Sequence, residues 1–310
     1  PGQNRAVFSK GFKYYINYHS SANTPNYVTL HDGAGIEKRV LKDNAELLKE
    51  LQKFNISQQE FFTFNTNEGT NLNAWMIKPQ DFDESKKYPV LMYVYGGPGA
   101  QTVKNSWGGS NFFWYQLLAS KGYIIVSVDN RGTGSRGAEF KKCTYKQLGK
   151  YETIDQIASA KYLQSLSFVD SNRIGIWGWS YGGYMSSNCL FKGNEVFKMA
   201  IAVAPVTNWR YYDSIYTERY MQTPEENANG YDDNSPINHV EKLTGKFLLV
   251  HGMGDDNVHF QNAVELAEAL VQADKQFGIM YYRNRSHGIS GGNTRLHLYN
   301  KMTDFVLENL

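Results

Sequence analysis

The sequence predicts an α/β fold, a mostly parallel sheet with helices on both faces, preceded by a short antiparallel β unit. Three observations lead there. From Pro89 onward, compact runs rich in apolar and β-branched residues recur along the chain, and helical stretches separate most of them. These runs are nearly continuous in apolar residues rather than alternating, which marks strands buried on both faces and therefore covered by helices. Before residue 42, by contrast, short aromatic and β-branched runs are separated only by turn compositions.

The elements follow in order. FKYYINYHS, NYVTL and IEKRVL, between Phe12 and Leu41, are split by SSANTPN and HDGAG, which reads as two or three antiparallel strands. So few strands bury too little surface to stand alone, so residues 1–42 are expected to be the last piece of a larger β domain. Residues 43–54, DNAELLKELQKF, carry Leu47, Leu48 and Leu51 at helical spacing, with Asp43 or Asn44 as a cap. They predict a linking helix, and the main domain runs over 55–310. EFFTFNT and NLNAWMI flank Asn67, Glu68 and Gly69, the grammar of a hairpin at an antiparallel edge. The core strands are Pro89 to Tyr95, Tyr123 to Asp129, Arg173 to Trp179, Met199 to Ala204, Phe247 to Gly252 and Phe277 to Tyr282. The helices are Ser110 to Ser120, Tyr151 to Leu166, Tyr181 to Phe191, Phe260 to Ala273 and Thr294 to Leu307.

Composition excludes several classes. Apolar residues make up 41% and charged residues 20% of 310, ordinary globular usage that argues against disorder and fibrous repeats. The net charge of +2 comes from 32 basic and 30 acidic residues without long like-charge blocks, so no nucleic acid or anionic membrane is expected as partner. No apolar run approaches the roughly 18 residues that span a bilayer. Pro1 to Lys10 lack the pattern of a signal peptide, so any targeting signal is expected upstream or already removed. Cys143 and Cys189 are the two cysteines; Cys189 falls in a helix expected to be buried, which favours a small core residue over half of a disulfide. Twenty-two tyrosines stand out, because tyrosines can line a pocket with apolar faces while their hydroxyls find polar partners.

Chemistry concentrates at Gly178, Trp179, Ser180, Tyr181 and Gly182, which spell G-x-S-x-G where the strand RIGIWGW runs directly into the helix YGGYMSSNCLF. A nucleophile elbow needs that sharp strand-to-helix turn, with glycines where neighbouring segments must approach. In a chain with 28 glycines the pentapeptide can arise by chance; the strand before it and the helix after it argue against chance. A serine hydroxyl needs a histidine base, and the histidine an acid to fix its tautomer. On this architecture they follow the serine in the order acid, histidine, on loops after later strands. Of seven histidines, His287 alone lies between the last core strand and the final helix; His251 ends a strand and His259 opens a helix, which reads as structural. The acid loop, MGDDNVHF, offers Asp255 and Asp256, and spacing does not choose between them; the other aspartate is free to cap the helix beginning near His259. An oxyanion hole would take the Tyr181 N–H and a donor from the early loop VYGGPGA, where Tyr95 offers a hydroxyl or is an ordinary strand-end tyrosine.

GWSYGGY, AVAPVTNWRYYDSIYTERYM, HGMGDDNVHFQ and DNRGTGSRG together resemble the prolyl oligopeptidase family, in its dipeptidyl peptidase IV branch, over nearly the whole chain. The resemblance implies an α/β-hydrolase domain joined to a β-propeller, with the segment to about residue 42 as the propeller's end. It implies a triad of Ser180, Asp255 and His287, with Tyr95 joining Tyr181 in the oxyanion hole. It also implies a proline pocket of Tyr181, Val206, Trp209, Tyr212, Tyr216 and Val258, with Asn257 binding a substrate carbonyl. Proline has a rigid apolar ring and no amide hydrogen, so an aromatic box selects it by shape and burial. Read without the family, Trp209, Tyr212 and Tyr216 are core aromatics whose spacing suits one buried helix face.

The activity so implied is release of N-terminal X-Pro dipeptides, from peptides with proline or alanine at the penultimate position. The branch reads the free N-terminus with propeller glutamates that lie outside this chain, so tripeptidyl and internal cleavage remain alternatives, as do an esterase and a noncatalytic module on the same fold. No metal is implied, since the histidines form no i, i+4 pair beside acids, and no cofactor; GGPGA lacks the phosphate-loop lysine. The resemblance further suggests a homodimer and an extracytoplasmic location, bacterial periplasm or cell surface.

Overall fold

In the computed structural model, which describes residues 1–109 and 111–310, the chain forms two sheets. The first is a four-stranded antiparallel sheet in sequential order, β1 (Gln3–Phe8), β2 (Tyr14–Ser21), β3 (Thr24–Asp32) and β4 (Glu37–Lys42). That is one strand more than the sequence predicts. The sequence of β1, QNRAVF, opens on three polar residues and follows no turn composition that would bound it. α1 (Ala45–Leu51) follows and tightens into a 3-10 turn to Phe54. Asn44 occupies its cap position without a side-chain cap, while Asp43 Oδ1 accepts the Ala45 N–H at 3.1 Å.

The second sheet has eight strands. They are β5 (Gln59–Asn65), β6 (Asn71–Ile77), β7 (Tyr88–Tyr93), β8 (Ile124–Asp129), β9 (Val169–Trp179), β10 (Met199–Val203), β11 (Lys246–Gly252) and β12 (Gly278–Tyr282), in the order β12-β11-β10-β9-β7-β8-β6-β5. The six strands from β12 to β8 pair in parallel; β6 joins β8 and β5 joins β6 antiparallel. This is an α/β-hydrolase architecture with a hairpin edge. The hairpin turns at Gly69, with φ of 79°.

Helices fill both faces: α2 (Phe112–Ser120), α3 (Ala138–Lys142), α4 (Lys150–Gln164), α5 (Tyr181–Lys192), α6 (Ser214–Met221), α7 (Ala228–Asp232), α8 (Gln261–Gln272) and α9 (Thr294–Asn309). One face packs α4, α5 and α8 through Leu163, Met185, Leu190, Leu266 and Leu270; the other packs α2 and α9 through Trp114, Leu118, Leu298 and Met302. The helix predicted to start at Ser110 begins at Phe112, and Ser110 lies outside the described residues. The short α3, α6 and α7 were not anticipated; five to eight residues carry too few turns for a helical period to register. Cys143 and Cys189 are both free thiols, and Cys189 is fully buried. No helix among the described residues is long and apolar enough to cross a membrane.

Chain direction reverses across the β7/β9 neighbours: β8 lies on one side of β7 and β9 on the other. Parallel sheets bind ligands outside the carboxyl ends of their strands at such a switch point. Tyr95, Ser180, Asp255 and His287 all sit just past the carboxyl ends of β7, β9, β11 and β12.

Candidate active site

Ser180 stands between β9 and α5 with φ of 60° and ψ of −120°, a strained conformation for a residue with a side chain. Three glycines permit it. A Cβ on Gly178 would strike Gly182 and the Val94 carbonyl, one on Gly182 would strike the same carbonyl, and one on Gly183 would come within 2.9 Å of the Val203 carbonyl. The Ser180 N–H is anchored on the Val203 carbonyl at 2.8 Å, which ties the turn to β10.

His287 and Asp255 meet from adjacent strands. His287 Nδ1 lies 2.8 Å from Asp255 Oδ2. An ionised carboxylate only accepts, so Nδ1 carries the hydrogen and Nε2 keeps its lone pair for a proton from serine. Asp255 Oδ1 accepts the N–H groups of Asn257 and Val258 at 3.0 and 2.9 Å. Burial by itself would push the Asp255 carboxyl up, but hydrogen bonds from His251, His287 and the backbone hold it well below the usual carboxylate range. Of the two aspartates, the structure therefore brings Asp255 to His287. Asp256 is exposed, and it does not cap the next helix: α8 starts at Gln261 with Phe260 at its cap position and no side-chain cap. The turn organised by Asp255 Oδ1 occupies the intervening residues and leaves Asp256 facing solvent.

Trp179 connects this pair to the elbow. Its indole Nε1 donates to the His287 carbonyl at 3.0 Å, and Arg295 from α9 stacks 4.9 Å above its ring while donating to the Gly288 carbonyl at 2.9 Å. The Ser180 hydroxyl has no hydrogen-bond partner among the described residues; nucleophile–base bonds commonly tighten only in the substrate complex.

The loop after β7 covers the elbow. Gly96 has φ of 75°, and a Cβ there would fall 2.8 Å from Asn130 Oδ1. Asn130 Nδ2 donates to the Gly96 carbonyl at 3.1 Å, Gly99 N donates to Gly132 and Gly134 N to Ala100, so the DNRGTGSRG stretch clamps the glycine loop. Tyr95 is half-buried with its ring 6.0 Å from that of Tyr181. Burial pushes its hydroxyl pKa up, which keeps it a neutral donor. The Tyr181 N–H belongs to the first turn of α5, where amides have no intrahelical partner and the helix dipole favours negative charge.

Beside the elbow the rings of Tyr181, Trp209, Tyr212 and Tyr216 form a box. Trp209 lies 5.4 Å from Tyr181, 5.8 Å from Tyr216 in a stacked pair and 5.8 Å from Tyr212 edge-on. Val206 and Val258 are buried against it. Tyr212 donates to Asn257 Oδ1 at 2.8 Å. The reading of these aromatics as one helix face is corrected: Trp209 sits on a 3-10 turn (Trp209–Tyr211), Tyr212 is extended, and Tyr216 lies on α6 after Asp213, whose side chain accepts the Tyr216 N–H at 2.8 Å. The bend turns three rings towards a common point. Beyond Tyr212 and Asn257 the surface opens into a polar cleft of about 680 Å³ lined by Arg210, Asp213, Asp256 and His259 among others.

The family model described as the prolyl oligopeptidase family matches residues 110–310. The chain belongs to the prolyl oligopeptidase family. Within it, the chain is 42% identical over 308 residues to the bovine protein named prolyl endopeptidase FAP, covering 97% of this chain and 40% of that one. It is 42% identical over 304 residues to cat dipeptidyl peptidase 4, covering 96% of this chain and 39% of that protein. The crystal structure of Porphyromonas gingivalis dipeptidyl peptidase 4 superimposes with a TM-score of 0.97 at 49% identity, over all of this chain and 44% of that one. The chain thus spans about two fifths of the length of these relatives.

Three residues of this family member's site were not found in the sequence. His251, read as structural, is fully buried, donates from Nε2 to the Val258 carbonyl at 2.9 Å and lies 3.4 Å from Asp255 Oδ2. Tyr220 extends the box, 4.8 Å from Tyr216. Glu152 accepts the Tyr181 hydroxyl at 2.7 Å. Glu152 leaves no local signal because its partner Tyr181 lies on another helix; Tyr220 follows Tyr216 by one turn of α6 and His251 precedes Asp255 by four residues, spacings that could have pointed to them. Among the described residues, no group of three or more His, Cys, Asp or Glu side chains is arranged to hold a metal ion.

Proposed function

We propose that this chain is the catalytic part of a serine exopeptidase that releases N-terminal X-Pro dipeptides through an acyl-enzyme. The observation that carries the reading is the Asp255–His287 pair, tied through Trp179 to the Ser180 elbow, with an aromatic box opening beside it. In this reading His287 Nε2 takes the Ser180 proton, Ser180 attacks the carbonyl carbon of the proline itself, and the Tyr181 N–H with the Tyr95 hydroxyl holds the oxyanion. His287 returns the proton to the departing amine; water then repeats the sequence and frees the dipeptide. The box takes the proline ring, and Asn257, whose Oδ1 is occupied by Tyr212, keeps its amide N–H groups for a substrate carbonyl. Residues 1–42 end an upstream β-propeller, 43–54 link, and 55–310 form the hydrolase. A homodimer in the periplasm or at the cell surface completes the proposal, to be checked by light scattering and cell fractionation of the full-length protein.

The relatives' names include both a dipeptidyl peptidase and a prolyl endopeptidase, which makes the reporter choice decisive. The full-length protein is assayed on Gly-Pro, Ala-Ala-Pro and N-blocked Gly-Pro reporters, with fluorophosphonate labelling of Ser180 as control. Preference for free Gly-Pro supports the dipeptidyl reading. Preference for the tripeptide or the blocked reporter replaces it with tripeptidyl or internal cleavage, and preference for short acyl esters replaces the peptidase itself. Failure to label marks a noncatalytic module.

A further inference from the structure

Glu152 is buried with zero exposure in the first turn of α4, 28 positions before Ser180 in the chain. One carboxylate oxygen does a local job: Oε2 accepts the N–H of Gly149 at 3.0 Å and so caps its own helix. The other does not. Oε1 accepts the Tyr181 hydroxyl at 2.7 Å, across to the residue that follows the candidate nucleophile. A cap alone would be served at lower cost by a neutral side chain, since an ionised carboxylate in a dry site is expensive without a cation. Among the described residues no Lys, Arg or His pairs with Glu152, whereas Asp155, one turn on, is held by Arg131 at 2.7 Å. Burial pushes the Glu152 carboxyl up to about 7.

The surroundings make the hydroxyl end of Tyr181 the point that fixes its ring. Tyr184 stands edge-on at 5.4 Å and is itself anchored through its hydroxyl on the Leu148 carbonyl at 2.8 Å. Gly149 has φ of 88°, and a Cβ there would collide with Tyr184, so this corner tolerates no larger residue. On its open side the Tyr181 ring meets Trp209, and a Cβ on Gly97 of the glycine loop would stand 3.2 Å from Tyr181 Cγ. A ring released at its hydroxyl can shift against Trp209, and that packed pair forms one wall of the box.

We infer that Glu152 is a positioning residue that sets proline over alanine selectivity by pinning the Tyr181 ring through its hydroxyl. The inference rests on the post-proline reading above. The test measures kcat/KM of the full-length protein for Gly-Pro and Gly-Ala reporters in wild type, Glu152→Ala, Glu152→Gln, Tyr181→Phe and the Glu152→Ala/Tyr181→Phe double variant, with fluorophosphonate labelling to show that each site is formed. Glu152→Ala and Tyr181→Phe are expected to lower the Gly-Pro to Gly-Ala ratio by about tenfold, the low end of what one methylene of fit is worth in an apolar pocket. The double variant should fall no further than the lower single, because both remove one contact. Glu152→Gln, which can keep the cap and still meet the hydroxyl, should retain most of the ratio. Should Glu152→Ala fail to fold, Tyr181→Phe, which removes one oxygen and keeps the ring and the cap, carries the test. Ratios within twofold of wild type, with or without a fall in melting temperature, or additive losses in the double variant, overturn the inference and leave the peptidase reading standing. A wild type that does not prefer Gly-Pro over Gly-Ala overturns both before any variant is made.

Discussion

The two sheets of this chain are built by opposite means. In the eight-stranded sheet β8 and β10 are buried along their whole length, and helices lie on both faces. In the four-stranded sheet β1 and β4 are exposed throughout, and Phe12, Tyr14 and Val40 face solvent. Polar contacts join the two: Gln59 N and the Gln59 carbonyl exchange hydrogen bonds with Asn23, and the Asn105 side chain accepts the Ala22 N–H at 2.9 Å. Chemistry needs groups held within fractions of an ångström by neighbours that cannot move. Only the larger sheet supplies such neighbours, and the candidate site lies wholly on it. The smaller sheet instead leaves its edge strands and several apolar side chains exposed.

That contrast can be broken in four places. The largest effect belongs to Ser180→Ala: peptidase activity of the full-length protein should fall about a thousandfold or more, with the melting temperature unchanged within error. Residual turnover near wild type would move the chemistry off the larger sheet. Next is the core beneath the site. Trp177 is fully buried, edge-on to Trp114 at 4.9 Å and 5.0 Å from Tyr93. Trp177→Ala should cost about 3–5 kcal/mol in urea unfolding.

A third effect comes from Glu152. Its folded value lies above its ordinary one, so the stability it contributes is whole below the ordinary value of 4.5 and is lost as pH rises through about 7. Wild type should lose up to about 3 kcal/mol relative to Glu152→Gln between those limits, read from paired denaturation curves at several pH values. A flat difference would show that burial does not govern this carboxyl. The smallest effect sits on the other sheet. Phe12 is 71% exposed, and in the 310-residue chain Phe12→Ser should change stability by less than about 0.5 kcal/mol. A loss of several kcal/mol confined to the full-length protein would show that upstream residues cover this face, as the propeller reading requires.

Legibility followed the same division. The strands of the larger sheet were readable because burial on both faces writes continuous apolar runs into the sequence; β1 was not, because QNRAVF opens on three polar residues and follows no turn composition that would bound it, whereas the equally exposed β4 follows HDGAG. The elbow was readable because everything that makes it, strand, serine, helix and glycines, is contiguous. The aromatic box was visible as residue types but not as a shape, since the break between the 3-10 turn at Trp209 and α6 depends on Asp213 capping the helix.

By itself the sequence determined the α/β class, the strand-to-helix turn at Ser180 and the loop that carries His287, for these rest on periodicity and turn chemistry within a few residues. Spacing left Asp255 and Asp256 open and the family resemblance chose Asp255; the tertiary structure alone decided that Asp255 Oδ2 meets His287 Nδ1, that Trp179 reaches the His287 carbonyl, and that Glu152 holds Tyr181. Each of those pairs joins residues from different elements, and strand order, set by how apolar faces pack over the whole sheet, is what brings them within hydrogen-bonding distance.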